Sequence, residues 1–152
     1  MELVVLRFTR SSERWWRKPL ANVQGRSIPA EVAVLNRELR ADESGVWLNS
    51  RGTRSGVVDL VPTAREEFKT QRVQLPEHVA AVLESLLTET GLSKGVPDLV
   101  IWSSRTRSVR FVEVKCPHWD RPTHEQSVFL QAAKAHGIES QIVEWEFLPT
   151  DY

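Results

Sequence analysis

Apolar and polar positions alternate with different periods along this chain, and the periods divide it into short elements. Glu2 to Phe8 alternates loosely and is rich in β-formers, which predicts a short strand. From Ser27-Ile28-Pro29 the apolar positions Ile28, Val32, Leu35 and Leu39 recur at helical spacing, so a helix is expected there. Residues 41–57, rich in Gly, Ser, Asn and Arg, read as loop or irregular hairpin. Val57 to Val61 is too short to assign to a strand or a buried connector, and Pro62 ends it. A second helix is expected from Pro76, which suits a first turn, to about Thr90, with Gly91 as the stop. Its stripe of Val79, Val82, Leu83, Leu86 and Leu87 repeats every 3.6 residues. Glu84 falls off that stripe and is expected to be solvated.

The last third is better defined. Asp98 to Trp102 and Val109 to Lys115 are apolar runs joined by the polar stretch Ser103 to Ser108, which predicts an antiparallel pair. Thr123-His124-Glu125-Gln126 has capping-box spacing, so a helix should start there and run past Phe129, Leu130 and Ala133 to Gly137. Gln141 to Phe147 reads as a closing strand. Helix, strand, strand, helix, strand is the order of a mixed sheet with helices against it, an α/β fold.

Composition narrows the class. At 152 residues and 17.4 kDa, with 41% hydrophobic and 26% charged residues, the chain fits a single globular domain and excludes disorder throughout. The 20 Lys and Arg balance the 20 Asp and Glu, so any polyanion-binding surface must be local. The lone Cys116 excludes a disulfide framework and a Cys-rich zinc site and fits a reducing compartment. No apolar run approaches the roughly 18 residues of a membrane span. Arg7 interrupts the apolar start, so a secretory signal is not expected, and the reading is a soluble intracellular domain. One local concentration of charge stands out over residues 7–26: Arg7, Arg10, Arg14, Arg17, Lys18 and Arg26 around Trp15-Trp16. Such a segment can grip nucleic acid by phosphate pairing and base stacking. It can equally be a partly solvated strap whose tryptophans dock on the core.

The candidate chemistry lies in Gly95-Val96-Pro97-Asp98-Leu99 and Phe111-Val112-Glu113-Val114-Lys115. Residues two apart on a strand share a face, so Glu113 and Lys115 project together while Val112 and Val114 face the core. If the two strands pair, Asp98 comes close to Glu113. Two converging carboxylates repel unless a cation lies between them, and such oxygen ligands suit Mg2+ or Mn2+. The lysine can orient or deprotonate the attacking water, or neutralise charge developing on phosphorus. These parts suit metal-assisted phosphodiester hydrolysis. The plainer alternative is a turn aspartate and a surface salt bridge on a strand. Gln126 lies on the inward face of its helix, where a metal-bound water or Lys115 would satisfy its amide. It is also placed to be the reciprocal partner of the Thr123 cap. Lys94, Arg105, Arg107, Arg110 and Arg121 are expected around the site, where they can contact phosphates.

These motifs, with Asp120-Arg121 and Gln126, resemble the virus-type replication-repair nuclease (VRR-NUC) domain of the PD-(D/E)XK superfamily. Trp102 and Val112-Glu113-Val114-Lys115 look most like its Fanconi-associated nuclease branch. The strong resemblance covers residues 91–145. Upstream, Asp59-Leu60, Phe68 and Arg72 stand in the order of that branch. The resemblance implies a restriction-endonuclease-like core, a mixed central sheet flanked by helices in the order α-β-β-β-α-β, best defined over 76–147. It implies a structure-selective DNA nuclease acting on branched or flapped DNA with Mg2+ or Mn2+, in repair or replication. It carries metal ligation to Asp98 and Glu113, the catalytic lysine role to Lys115 and a supporting role to Gln126. The family takes a further ligand from an earlier helix, here Glu31 or Glu38, since Glu84 faces away from its stripe. Glu31 suits the family order ahead of Asp59-Leu60 better. The chain departs from the pattern at Cys116, where glycine is usual and a side chain would crowd the substrate or point to solvent. It departs also at His118-Trp119, in place of a short Gly- or Asn-containing turn, and at Pro122, commonly leucine. An inactive DNA-binding scaffold, an RNA-directed nuclease, and either a monomer or a homodimer all stay open.

Overall fold

In the computed structural model, which describes residues 5–48, 57–60 and 71–149, the elements follow the order β1 (Val5–Arg10), β2 (Ala21–Val23), β3 (Arg26–Ile28), α1 (Ala30–Glu38), β4 (Glu43–Trp47), β5 (Val57–Leu60), β6 (Gln71–Gln74), α2 (Glu77–Thr90), β7 (Leu99–Ser103), β8 (Val109–Lys115), α3 (His124–Ala135) and β9 (Glu139–Phe147). Seven strands form one mixed sheet in the order β3-β2-β1-β9-β8-β7-β4, and β5 pairs with β6 apart from it. β8 runs parallel to β9 and β9 to β1, while the other neighbours are antiparallel. A parallel pair needs a crossover, and α3 supplies it between β8 and β9. Taken without β5, β6 and α2, the run from α1 to β9 is α-β-β-β-α-β. Among the described residues no helix is long and apolar enough to cross a membrane.

Alternation along β7 and β8 assigns the two faces. Leu99, Ile101, Val112 and Val114 pack with Val32, Val34 and Leu35 of α1, whereas Val100, Trp102 and Phe111 pack with Leu83 and Leu86 of α2 and Phe129 and Leu130 of α3. Phe111 meets Phe129 edge-on at 5.1 Å between ring centres. Removing either ring would open a cavity and cost about 3–5 kcal/mol.

The helices start and stop where the apolar periods do, and α3 carries the full capping box at Thr123 and Gln126. Two segments differ from expectation. Residues 41–57 do not form a loop throughout: Glu43 to Trp47 is the edge strand β4, in register with β7 from Glu43↔Ser103 to Trp47↔Leu99. Ser44 and Gly45 mask it because both are poor β-formers. Gly45 lies close under α1: a β-carbon there would stand 2.8 Å from Leu35 Cδ1, and that side chain would have to shift to admit it. The basic segment also contains the hairpin β2–β3, turned at Gln24-Gly25 with both residues at positive φ. Strands of three residues are too short to show a period. Glu84 is half-buried rather than solvated. Of the upstream resemblance, Asp59 and Arg72 are opposite each other in the β5–β6 register, and Phe68 lies outside the described residues.

Candidate active site

The site forms where β7 begins and β8 ends. The register Leu99↔Val112 sets Asp98 across from Glu113, and Asp98 Oδ2 accepts a hydrogen bond of 2.8 Å from the Val114 amide. That bond ties the carboxylate to the neighbouring strand. Gly95 permits the approach: it has a φ of +94°, and a β-carbon there would stand 2.5 Å from Glu125 Cβ on the first turn of α3. The Gly-Val-Pro-Asp segment therefore passes directly under the helix that carries Gln126.

Glu113 is fully buried. Gln126 Nε2 donates to its Oε1 at 3.1 Å, and Lys115 Nζ lies 3.4 Å from the same oxygen. Its other oxygen, Oε2, has no hydrogen-bond partner among the described residues. Burial, followed by the hydrogen bond and charge of Asp98, pushes the Glu113 carboxyl up to about 10, with Lys115 opposing the shift. Glu113 then keeps its proton beside Asp98 unless a cation takes its place. For Lys115, burial favours the neutral amine, but Glu113, Asp120 and Asp98 together outweigh it and hold the ammonium above its usual range.

Gln126 fills the capping role and also turns its amide inward, but to Glu113 where Lys115 or a metal-bound water was expected. Its Oε1 accepts from the Thr123 amide at 2.9 Å while its Nε2 reaches Glu113, so one amide closes the helix cap and orients the buried acid. Its partner is Glu113 itself. Asp120, part of the resemblance but given no role by it, joins the site: its Oδ1 lies 3.4 Å from Lys115 Nζ. Trp119 and Asp120 amides both donate to the Cys116 carbonyl, a tight turn that returns the chain to the lysine it has just left. No period in Cys116-Pro117-His118-Trp119-Asp120 announces such a turn.

The two upstream glutamates separate. Glu38 lies 3.5 Å from Arg110 and accepts from Gln141, in a group that also includes Glu43 at 2.8 Å from Arg110. Glu31 is buried next to the site, and its carboxyl is raised by burial first and then by the nearby Asp98, with Lys18 at 3.7 Å opposing. Asp98 and Glu113 therefore supply the oxygens at hand for a cation, with Glu31 and Asp120 adjacent. Among the described residues no three His, Cys, Asp or Glu side chains converge into a ready-made metal cage.

The basic residues do not all gather as expected. Arg105 and Arg107 lie on the β7–β8 turn, at the opposite end of the hairpin, roughly 15–20 Å along it at ~3.3 Å per residue. Arg105 there pairs with Asp42 at 3.3 Å. Arg110 is buried in its ion group. Lys94 and Arg121 are exposed on the loops that lead into Asp98 and α3. Cys116 neither crowds a substrate nor points to solvent: it is fully buried in the core on the α1 side.

The VRR-NUC domain model matches residues 46–145, which span β7, β8, α3 and all of the buried carboxylate pair. The chain belongs to the VRR-NUC domain family. Fanconi-associated nuclease 1 of Homo sapiens is 42% identical over 48 residues, 32% of this chain and 5% of that protein. The Ailuropoda melanoleuca protein is 40% identical over a stretch of the same length. This VRR-NUC chain thus matches only a small part of those relatives. A crystal structure of paFAN1 bound to 5′-flap DNA superposes with a TM-score of 0.60 over 96% of this chain and 37% of that one, at 15% identity. At that identity the likeness is one of fold.

Proposed function

We propose that this VRR-NUC domain is a divalent-metal-dependent nuclease that hydrolyses phosphodiester bonds in DNA, with flapped or branched DNA as its substrate class. The observation that carries it is Glu113: fully buried, set against Asp98, with an ammonium 3.4 Å from its Oε1. Two buried carboxyls held against each other are unfavourable in a purely structural role unless a proton or a cation lies between them, and a hard dication would take that place. Mg2+ and Mn2+ need only one or two carboxylates and keep the rest of their shell as water and phosphate. Asp98 and Glu113 are the residues to hold the ion, with Glu31 as the adjacent further carboxylate. When bound, the ion supplies Lewis-acid activation of phosphate and water.

Lys115, kept cationic by its three carboxylates, places positive charge where negative charge develops on the phosphorus oxygens and orients the attacking water. Gln126 is a positioning residue, holding the Glu113 carboxylate while capping α3. The flap DNA in the paFAN1 structure supports the substrate class.

Labelled flaps, forks and four-way junctions, with RNA counterparts, incubated with Mg2+, Mn2+ or EDTA, test this. Cleavage should require metal, and Glu113→Gln or Lys115→Ala should lower it roughly 100-fold or more while leaving binding largely intact. Cleavage at the wild-type rate by either variant refutes the assignment. That no third side-chain ligand converges on the pair among the described residues favours a second reading, a DNA-binding module that does not cut. Metal-independent DNA binding with no detectable heat of Mg2+ or Mn2+ binding would select it.

A further inference from the structure

Apart from Lys18, 3.7 Å from Glu31, the basic segment ahead of β2 has no part in the chemistry above, yet it borders the site. Residues 7–18 hold five cations and one acid (Arg7, Arg10, Arg14, Arg17, Lys18 against Glu13), a local charge of five minus one, or +4, in a chain of zero net charge. The fold curls this segment into a groove of about 470 Å³ whose walls include Arg10, Glu13, Arg14, Trp16, Arg17 and Lys18, four cations against one acid. Trp16 is docked edge-on against Trp47 at 5.8 Å, so the aromatic anchors the strap to the core. The four cations remain exposed. Arg17 lies over the Trp16 ring at 5.3 Å and Arg10 over Phe147 at 5.4 Å, which fixes the direction of both guanidinium groups.

The groove adjoins the acid cluster. Trp16, Lys18 and Pro19 also line a smaller cavity whose other walls include Glu31, Asp120 and Trp119. Trp119 is 44% exposed, an unusual position for an indole. It is held by Trp145, edge-on at 5.5 Å, and by Phe147 at 6.2 Å. A rigid exposed ring beside a carboxylate cluster, reached along a cationic groove, has the make-up of a single-strand track: phosphates on the cations and a base on the aromatic face. Duplex DNA keeps its bases stacked inward and has none to offer Trp119.

We infer that Arg10, Arg14, Arg17, Lys18 and Trp119 form a binding track for single-stranded DNA, which leads the unpaired arm of a substrate to the Asp98–Glu113 site. The inference rests on the nuclease reading for the place where the strand ends. Its test is therefore binding in EDTA, independent of cleavage. Fluorescence anisotropy is measured with the full chain and a labelled oligothymidine of about twelve nucleotides, over a range of salt, and with a blunt duplex beside it. Arg14→Ala/Arg17→Ala should reduce the slope of log affinity against log salt by about 1.4, at ~0.7 per lost phosphate contact on a single strand. Arg14→Lys/Arg17→Lys should keep the slope. Trp119→Ala should weaken oligothymidine binding roughly tenfold, with Trp119→Phe retaining most of it and the duplex affinity unchanged. Circular dichroism of each variant identifies any that fails to fold, and the Lys and Phe variants then carry the test.

Unchanged slope and affinity in folded variants overturn the track, as does an equal loss for single strand and duplex. If wild type cleaves flaps in Mg2+ and the variants bind as wild type, the track fails and the nuclease stands. If the binding signatures appear but no DNA is cut, the nuclease reading fails and the track stands.

Discussion

Replacing Glu113 by Gln should make the metal-free protein more stable at neutral and alkaline pH. The native carboxyl is pushed up to about 10 by burial and by Asp98, against about 4.3 in an unfolded chain. Between those values the native state keeps a proton that the unfolded state releases. Stability is therefore full below the unfolded value and is lost as pH rises, by up to ~1.4 kcal/mol per unit. Across the three units from pH 5 to pH 8 the loss approaches ~4 kcal/mol. The size depends only on the native value lying above pH 8, not on how far above. Gln is neutral at every pH, can accept from Gln126 as Glu113 does, and can donate towards Asp98. Urea unfolding in EDTA at a series of pH values measures the difference. The wild-type curve should fall more steeply than that of Glu113→Gln, although Glu31, raised in the same sense, leaves some slope in both. The gap should narrow towards pH 5. Parallel curves from pH 5 to pH 8 would show that Glu113 is already ionised in the metal-free protein, and the retained-proton account would be wrong.

Other substitutions probe separate parts. Gln126→Ala should cost about 1–2 kcal/mol, because it removes both the cap and a bond to a buried acid. Gln126→Glu should keep the cap acceptor yet place a third carboxyl against Glu113, so the thermal midpoint should fall more as pH rises. Gly95→Ala forces a β-carbon into Glu125 at a left-handed φ and should cost about 2–3 kcal/mol by denaturant titration, reducing cleavage with it. Arg110→Ala removes the guanidinium that bonds both Glu43 oxygens and leaves that carboxylate to Arg40 alone, a loss of about 2–3 kcal/mol that urea unfolding near neutral pH would register. DNA affinity should be unchanged in that variant if Arg110 is structural.

Much of the core was legible because its signals are local. The 3.6-residue stripe of α2, the β7 and β8 runs and the α3 capping box each fit within one element, so period and cap chemistry suffice. β4 was not legible, since its pairing energy comes from β7, distant in sequence, and the β2–β3 hairpin was not, since its three-residue strands are too short to show a period. Glu43 to Trp47 is a strand because β7 lies beside it, and Gly45 is there because α1 packs close above.

The candidate site divides in the same way. Period-two alternation alone set Glu113 and Lys115 on one face, and the capping spacing alone placed Gln126 at the start of its helix. Which glutamate lies beside the acid pair, that Asp120 folds back to Lys115, and that Arg105 and Arg107 stand at the remote end of the hairpin were decided only in three dimensions. Electrostatic neighbourhood depends on distance through space, which falls to a few ångströms between residues tens of positions apart and leaves no mark on the linear order.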